Sequence, residues 1–281
     1  MIALFILKLS AGITLMWWLM PRRDVTDGFF RIQMRVLLGL AVLSALLLSG
    51  GADTAARSAQ PPSTQVRSRS VETGEFLEPE ARQTSPGVAA QARMISIVVA
   101  VTAFAGSVFW ALGRRMPGNA CIHLLTVLTA VSLGLHSWNA ATDCGVVQQL
   151  LSDFSSAAVL GGVTTGMLLG HWYLTTPTMS IRPLTWFNIA IAVAVLLRLV
   201  ASGWAVAAAG ISLPDTTQQM WLGIRWAGGI VAPGLMSVMV WRILKHRNTQ
   251  SATGVLFATL VVVFMGEMAA ALLEQDARIP Y

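Results

Sequence analysis

Charged residues are scarce. They make up 11% of the 281 residues, against about 25% in a soluble domain. So few cannot cover a water-facing surface, which excludes a soluble globular chain. With 55% hydrophobic residues and a mean hydropathy of +0.65, the chain reads as a polytopic membrane protein. The net charge of +6 is therefore no sign of a nucleic-acid partner. Its basic residues sit mostly in short loops, where they set orientation. Membrane lipids are the expected partners, with other subunits of a membrane complex as a further class.

Cysteine is almost absent. Cys121 and Cys144 fall at opposite membrane faces in the topology below, so no disulfide between them is expected. The chain lacks H-E-x-x-H, C-x-x-C, a phosphate loop, a nucleophile elbow and a dinucleotide fingerprint. No catalytic residue can be assigned from motifs, and no metal site is expected. The first apolar stretch, 2–20, has no basic flank before it and is of spanning length. It is thus unlike a secretory signal.

What is present is a series of apolar segments at 2–20, 34–51, 94–112, 120–139, 151–174, 184–204, 217–241 and 253–273. A helix rises about 1.5 Å per residue, so segments of about 20 residues cross a core about 30 Å thick. The expected fold is an all-α transmembrane bundle of about eight spans. Basic residues crowd one set of connections: Arg22, Arg23, Arg31 and Arg35; Arg114 and Arg115; Arg182; then Arg242, Lys245 and Arg247. The opposite short connections, 140–150 and 205–216, have none. The basic side is expected to be cytoplasmic and both termini outside, in a bacterial cytoplasmic (inner) membrane. The sequence divides into a pair of N-terminal helices (1–51), a long external connection (52–93) and a six-helix body (94–281). The connection lacks apolar periodicity and is expected to be disordered or loosely docked. Gly162, Gly166 and Gly170, with Gly161 beside them, predict a close helix crossing. Gly228, Gly229 and Pro233 predict a kink in the seventh span. The tryptophans fall near predicted span ends, as in an aromatic belt.

Arg198, Arg225 and Glu267 interrupt apolar segments, and ionisable residues in such places usually face an interior site. Counting helix rise places Arg198, Glu267 and Lys8 about 21 Å above the basic side, Arg225 about 18 Å and His136 about 24 Å, with Asp153 nearer the outer mouth. These residues form one polar layer. One reading is an ion-pair network that locks the bundle. The other starts from a surplus of cations, since three basic groups face one Glu267. That surplus calls for further polar groups or an anion, with Asp153 able to supply part and a lipid phosphate, an acidic substrate or haem propionates the rest.

His136 and His171 end near opposite faces, about 20 Å apart, which is too far for the two axial ligands of one haem. His123 and His171 share a level on adjacent spans and are the one pair that suits haem b or a metal. Arg242, Lys245 and Arg247 lie beside the start of the last span and suggest a headgroup or anion site. The function expected from these features is that of a membrane subunit in a redox or energy-conversion assembly of respiratory type, binding quinone or haem. The alternatives are a transporter or lipid-handling protein that uses the polar layer for an anion, and a purely structural subunit.

Overall fold

The computed structural model of the chain describes residues 2–58, 86–140, 145–176, 179–209 and 216–277. Among these, all regular structure is helical. The helices are α1 (Ile2–Leu19), α2 (Asp27–Ser58), α3 (Pro86–Ala111), α4 (Arg115–Ala140), α5 (Val146–Thr175), α6 (Arg182–Ala209), α7 (Thr216–Trp226), α8 (Ala232–Lys245) and α9 (Thr249–Ala277). A short 3-10 turn, Arg22–Asp24, precedes α2, and a π-helical turn, Ala227–Val231, joins α7 to α8 into one interrupted segment. The expected connection at 52–93 is shorter than the sequence implied. α2 continues to Ser58 and α3 begins at Pro86, and what remains of the connection lies outside the described residues, as does Cys144.

Among the described residues, seven helical segments are long and apolar enough to cross a membrane: α1, α2, α3, α4, α6, the α7–α8 segment and α9. The chain is an integral membrane protein with an all-α bundle. The eighth expected span, α5, is the longest inside the body at 30 residues, yet it is not among the seven. The reason is where it sits. It packs against α1, α4, α6 and α9, and every residue from Ser155 to Gly166 is buried. A helix ringed by other helices meets no lipid tails, so glycine, serine and threonine can replace leucine along it. Its own length of about 45 Å carries it from one face of the bundle to the other. The basic ends of the helices gather on one face. There Arg115 pairs with Asp27 at 3.0 Å, the Trp172 indole donates to Thr26 at 2.9 Å, and Phe30 stacks on Trp110 with 4.5 Å between rings.

The tightest crossing in the bundle is α1 on α5. A Cβ on Gly12 would lie 1.8 Å from the Ala157 carbonyl oxygen, and one on Gly161 would lie 1.9 Å from the Gly12 carbonyl carbon. The other glycines of the expected stripe serve different neighbours. Gly162 and Gly166 admit Ile191 of α6, and Gly170 admits the Thr253 hydroxyl of α9. The aromatic belt is also only part of the story. Trp18, Trp138, Trp204 and Trp241 are exposed at the rims, but Trp17 and Trp110 are buried between helices.

Candidate functional site: a buried charge layer

Among the described residues, five charged side chains lie buried at one level of the bundle: Lys8, Asp153, Arg198, Arg225 and Glu267. They form two linked groups. In the first, Glu267 of α9 is the hub. Arg225 Nη1 donates to its Oε1 at 2.9 Å, and Arg198 Nε lies 3.5 Å from the same oxygen. The Ser156 hydroxyl donates to Oε2. Arg198 Nη1 also donates to the Ser152 carbonyl at 2.8 Å and to its hydroxyl at 2.7 Å, while Arg225 Nη2 reaches the Ser202 hydroxyl at 3.4 Å. In the second group, Lys8 of α1 pairs with Asp153 of α5 at 2.7 Å. Ser137 donates to Asp153 at 2.7 Å, and the Gln149 amide donates to both Asp153 and Glu274 at 3.1 Å. A cleft between α1 and α9, lined by Lys8, Arg198, Glu267 and Glu274, joins the two groups. Its volume of about 10 Å³ matches roughly one water. Phe5 and Phe264 meet edge to face across the same pair of helices, with 5.2 Å between rings.

The backbone of the seventh span is shaped around this layer. Pro233 has no N–H to give to the preceding turn, and Gly228 and Gly229 offer little resistance to a wider turn. The result is the π-helical turn Ala227–Val231. A Cβ on Gly229 would sit 2.2 Å from Arg225 Nη1, so the missing side chain is the space the guanidinium occupies. Gly266 completes the approach, since its Cβ would fall 2.4 Å from the Gly229 nitrogen. Gly229→Ala is therefore expected to push Arg225 off Glu267 and lower stability by about 1–3 kcal/mol, the usual range for overpacking. Unfolding of the detergent-solubilised variant checks this, with Gly223→Ala as the control, because a Cβ there meets nothing within 4 Å.

The structure brings Lys8, Arg198, Arg225 and Glu267 together with Asp153, and the charge count differs from the expectation. Lys8, Arg198 and Arg225 face three carboxylates, because Glu274 joins Glu267 and Asp153. The cation surplus, and with it the need for a bound anion, disappears. His136 is half-buried within electrostatic reach of Lys8, Asp153 and Glu274. Glu274, Gln149, Ser137, Ser152 and Ser156 were not anticipated. The signal for them was helical spacing: Glu274 follows Glu267 by seven residues, and Gln149–Asp153 and Ser152–Ser156 are each four apart, so each pair shares a face.

The remaining candidates sit elsewhere. His123 is exposed on the basic face, 3.5 Å from the Arg22 guanidinium, which also donates to Asn119 at 2.9 Å. A cationic neighbour is poor company for a metal ligand. His171 is exposed. Among the described residues no group of three or more His, Cys, Asp or Glu is placed to hold a metal ion. Arg242, Lys245 and Arg247 flank the α8–α9 turn. There the Lys245 ammonium lies 3.6 Å from the Trp241 ring centroid, and Asn248 already caps the start of α9 by accepting from the Ser251 amide at 3.0 Å. That cap takes up one of the amides an anion would use. Comparison of the chain with protein-family models, curated proteins and solved structures finds no match.

Proposed function

We propose that this chain is a membrane subunit of an energy-converting assembly of respiratory type in a bacterial cytoplasmic membrane, and that its charge layer couples proton movement to helix movement. The observation that carries the reading is the joined line Glu274–Gln149–Asp153–Lys8, continued across the cleft to Glu267 and Arg225. The carboxylates, Lys8 and the Gln149 bridge can pass or hold a proton, Arg225 is a fixed positive charge at the end of the line, and all of them lie inside the helical bundle. Intramembrane chains of this kind are typical of proton relays. A proton delivered to one carboxylate leaves its cation uncompensated, which costs several kcal/mol in a buried site. The layer must then rearrange, and the π-helical turn beside Arg225 is the least regular backbone available to do so. Haem ligation at His123 and His171 has no part in this reading. The cleft has room for a water rather than a quinone ring.

A purely structural lock is the competing reading, favoured by the closed charge count. Proton uptake by sealed vesicles carrying the purified protein, driven by an imposed potential and read with an internal pH dye, separates the two. Glu274 is only half-buried, so Glu274→Gln is expected to fold normally and to slow uptake by more than about tenfold. Unchanged uptake in that variant leaves the lock as the answer.

A further inference from the structure

We propose that Arg31 and Arg35 of α2 hold the phosphate of an anionic phospholipid, whose acyl chain lies along the outward face of the same helix. The inference stands apart from the proton-coupling reading above. Both arginines are exposed, one helical turn apart on one face. Neither makes a hydrogen bond or ion pair with the described residues. Asp27, one turn before Arg31, is turned to the Arg115 guanidinium, 3.0 Å from its Nη2 and 3.3 Å from its Nε. Other cations of the basic face are already engaged. Arg22 donates to Asn119 and meets His123, and Lys245 covers the Trp241 ring. A charge that faces lipid without a partner is costly, and its side chain reaches for the nearest anion at the interface. Guanidinium groups suit phosphate, which they bind through paired N–H donors without losing charge.

Packing fixes the level of the pair. The Thr126 hydroxyl donates to the Thr14 carbonyl, so Trp18 of α1 and Ile122 of α4, each four residues nearer the basic face, share a height. A Cβ on Gly106 of α3 would lie 3.3 Å from Cys121, beside Ile122, and 3.1 Å from Met34, beside Arg35. Arg35 therefore stands at the height of the exposed rim residue Trp18, where headgroups begin, and Arg31 lies about 6 Å further out. From Arg35 the same face continues into the membrane as Gly39, Val42 and Leu46, all exposed. A Cβ on Gly39 meets nothing within 4 Å, so the track is open there. Arg35 to Leu46 spans about 16 Å, close to the roughly 15 Å of hydrocarbon in one leaflet. Two guanidiniums at headgroup level above an apolar track of leaflet length match a phosphate together with its chain. A free phosphate would leave the track unused.

Native mass spectrometry of the detergent-solubilised chain, titrated with phosphatidylglycerol, tests the site. The wild type is expected to retain phosphatidylglycerol and to prefer it to phosphatidylcholine. An arginine beside an anionic headgroup is worth about fivefold in affinity, so Arg31→Gln/Arg35→Gln should weaken retention by about thirtyfold. Arg242→Gln/Lys245→Gln removes the same charge from another part of the basic face and should weaken it by less than about threefold. Both pairs are exposed, so both variants should keep the fold, which their unfolding in detergent checks. Equal losses in the two variants would reduce the effect to bulk charge and overturn the site, as would unchanged retention in the first. A wild type that holds both lipids alike also overturns it. Inorganic phosphate that displaces the lipid at equal concentration would make the pair a site for the free anion and remove the lipid from the proposal.

Discussion

Glu267→Ala is expected to cost about 3–5 kcal/mol, among the largest losses any single substitution in this chain should give. The variant strips the shared counter-ion from Arg198 and Arg225, both buried, and leaves the Ser156 hydroxyl without its acceptor. Neither guanidinium can shed its proton to escape, because arginine stays charged in proteins. The triple variant Arg198→Met/Arg225→Met/Glu267→Met should behave in the opposite way. Replacing an entire buried ion cluster by apolar side chains of similar bulk is often neutral, or stabilising by about 1–4 kcal/mol. Unfolding of both variants in detergent tests the pair of expectations. The triple variant has a second use. It retains the bundle without the charges, so vesicles made from it should be silent for proton uptake if the layer is functional. Normal uptake there would reduce Arg198, Arg225 and Glu267 to a packing device.

The second large effect is steric. Gly161→Ala places a methyl within 1.9 Å of the α1 backbone, and Gly12→Ala one within 1.8 Å of the α5 backbone. Flexible side chains can step aside from such an intrusion, but two helix backbones in contact cannot. Either substitution is expected to lower stability by about 3 kcal/mol, the upper end of the usual range for overpacking. Because Lys8 and Asp153 lie on the same two helices, each should also pull that ion pair apart. Gly39→Ala and Gly134→Ala make fitting comparisons, since a Cβ at either site meets nothing within 4 Å. Helix propensity alone predicts that these two gain about 0.5–1 kcal/mol. Parallel losses at all four glycines would refute the close crossing.

Depth arithmetic from the sequence recovered the core of the charge layer, because a charge in an apolar run is conspicuous and helix rise is constant. Lys8, Arg198, Arg225 and Glu267 needed nothing more. Glu274 and Gln149 escaped because polar residues near a helix end look like ordinary interface residues until the partner helix is known. The pairing of Lys8 with Asp153 was equally hidden, since sequence gives a level along the membrane normal but no angle around the bundle. That same gap produced the false cation surplus. The Gly-Gly-x-x-x-Pro run in the seventh span announced a break but not its kind. A π-helical turn arises from where Arg225 and Gly266 must fit, and both constraints belong to tertiary packing. Buried Trp17 and Trp110 show the same limit, for an aromatic near a span end reads as a lipid anchor whether or not a helix covers it.

The enclosed position of α5 bears on how the protein is made. A segment this rich in glycine and hydroxyls, with Asp153 near its leading end, gains little by partitioning into lipid alone when it leaves the translocation machinery. α1 and α4 precede it in the chain, whereas α6 and α9 follow. Half of its cover is therefore still unsynthesised when it emerges. α5 must wait at the insertion site, or beside a chaperone, until its later companions arrive. Biogenesis of this protein thus hinges on a helix whose right to be in the membrane is conferred by its neighbours.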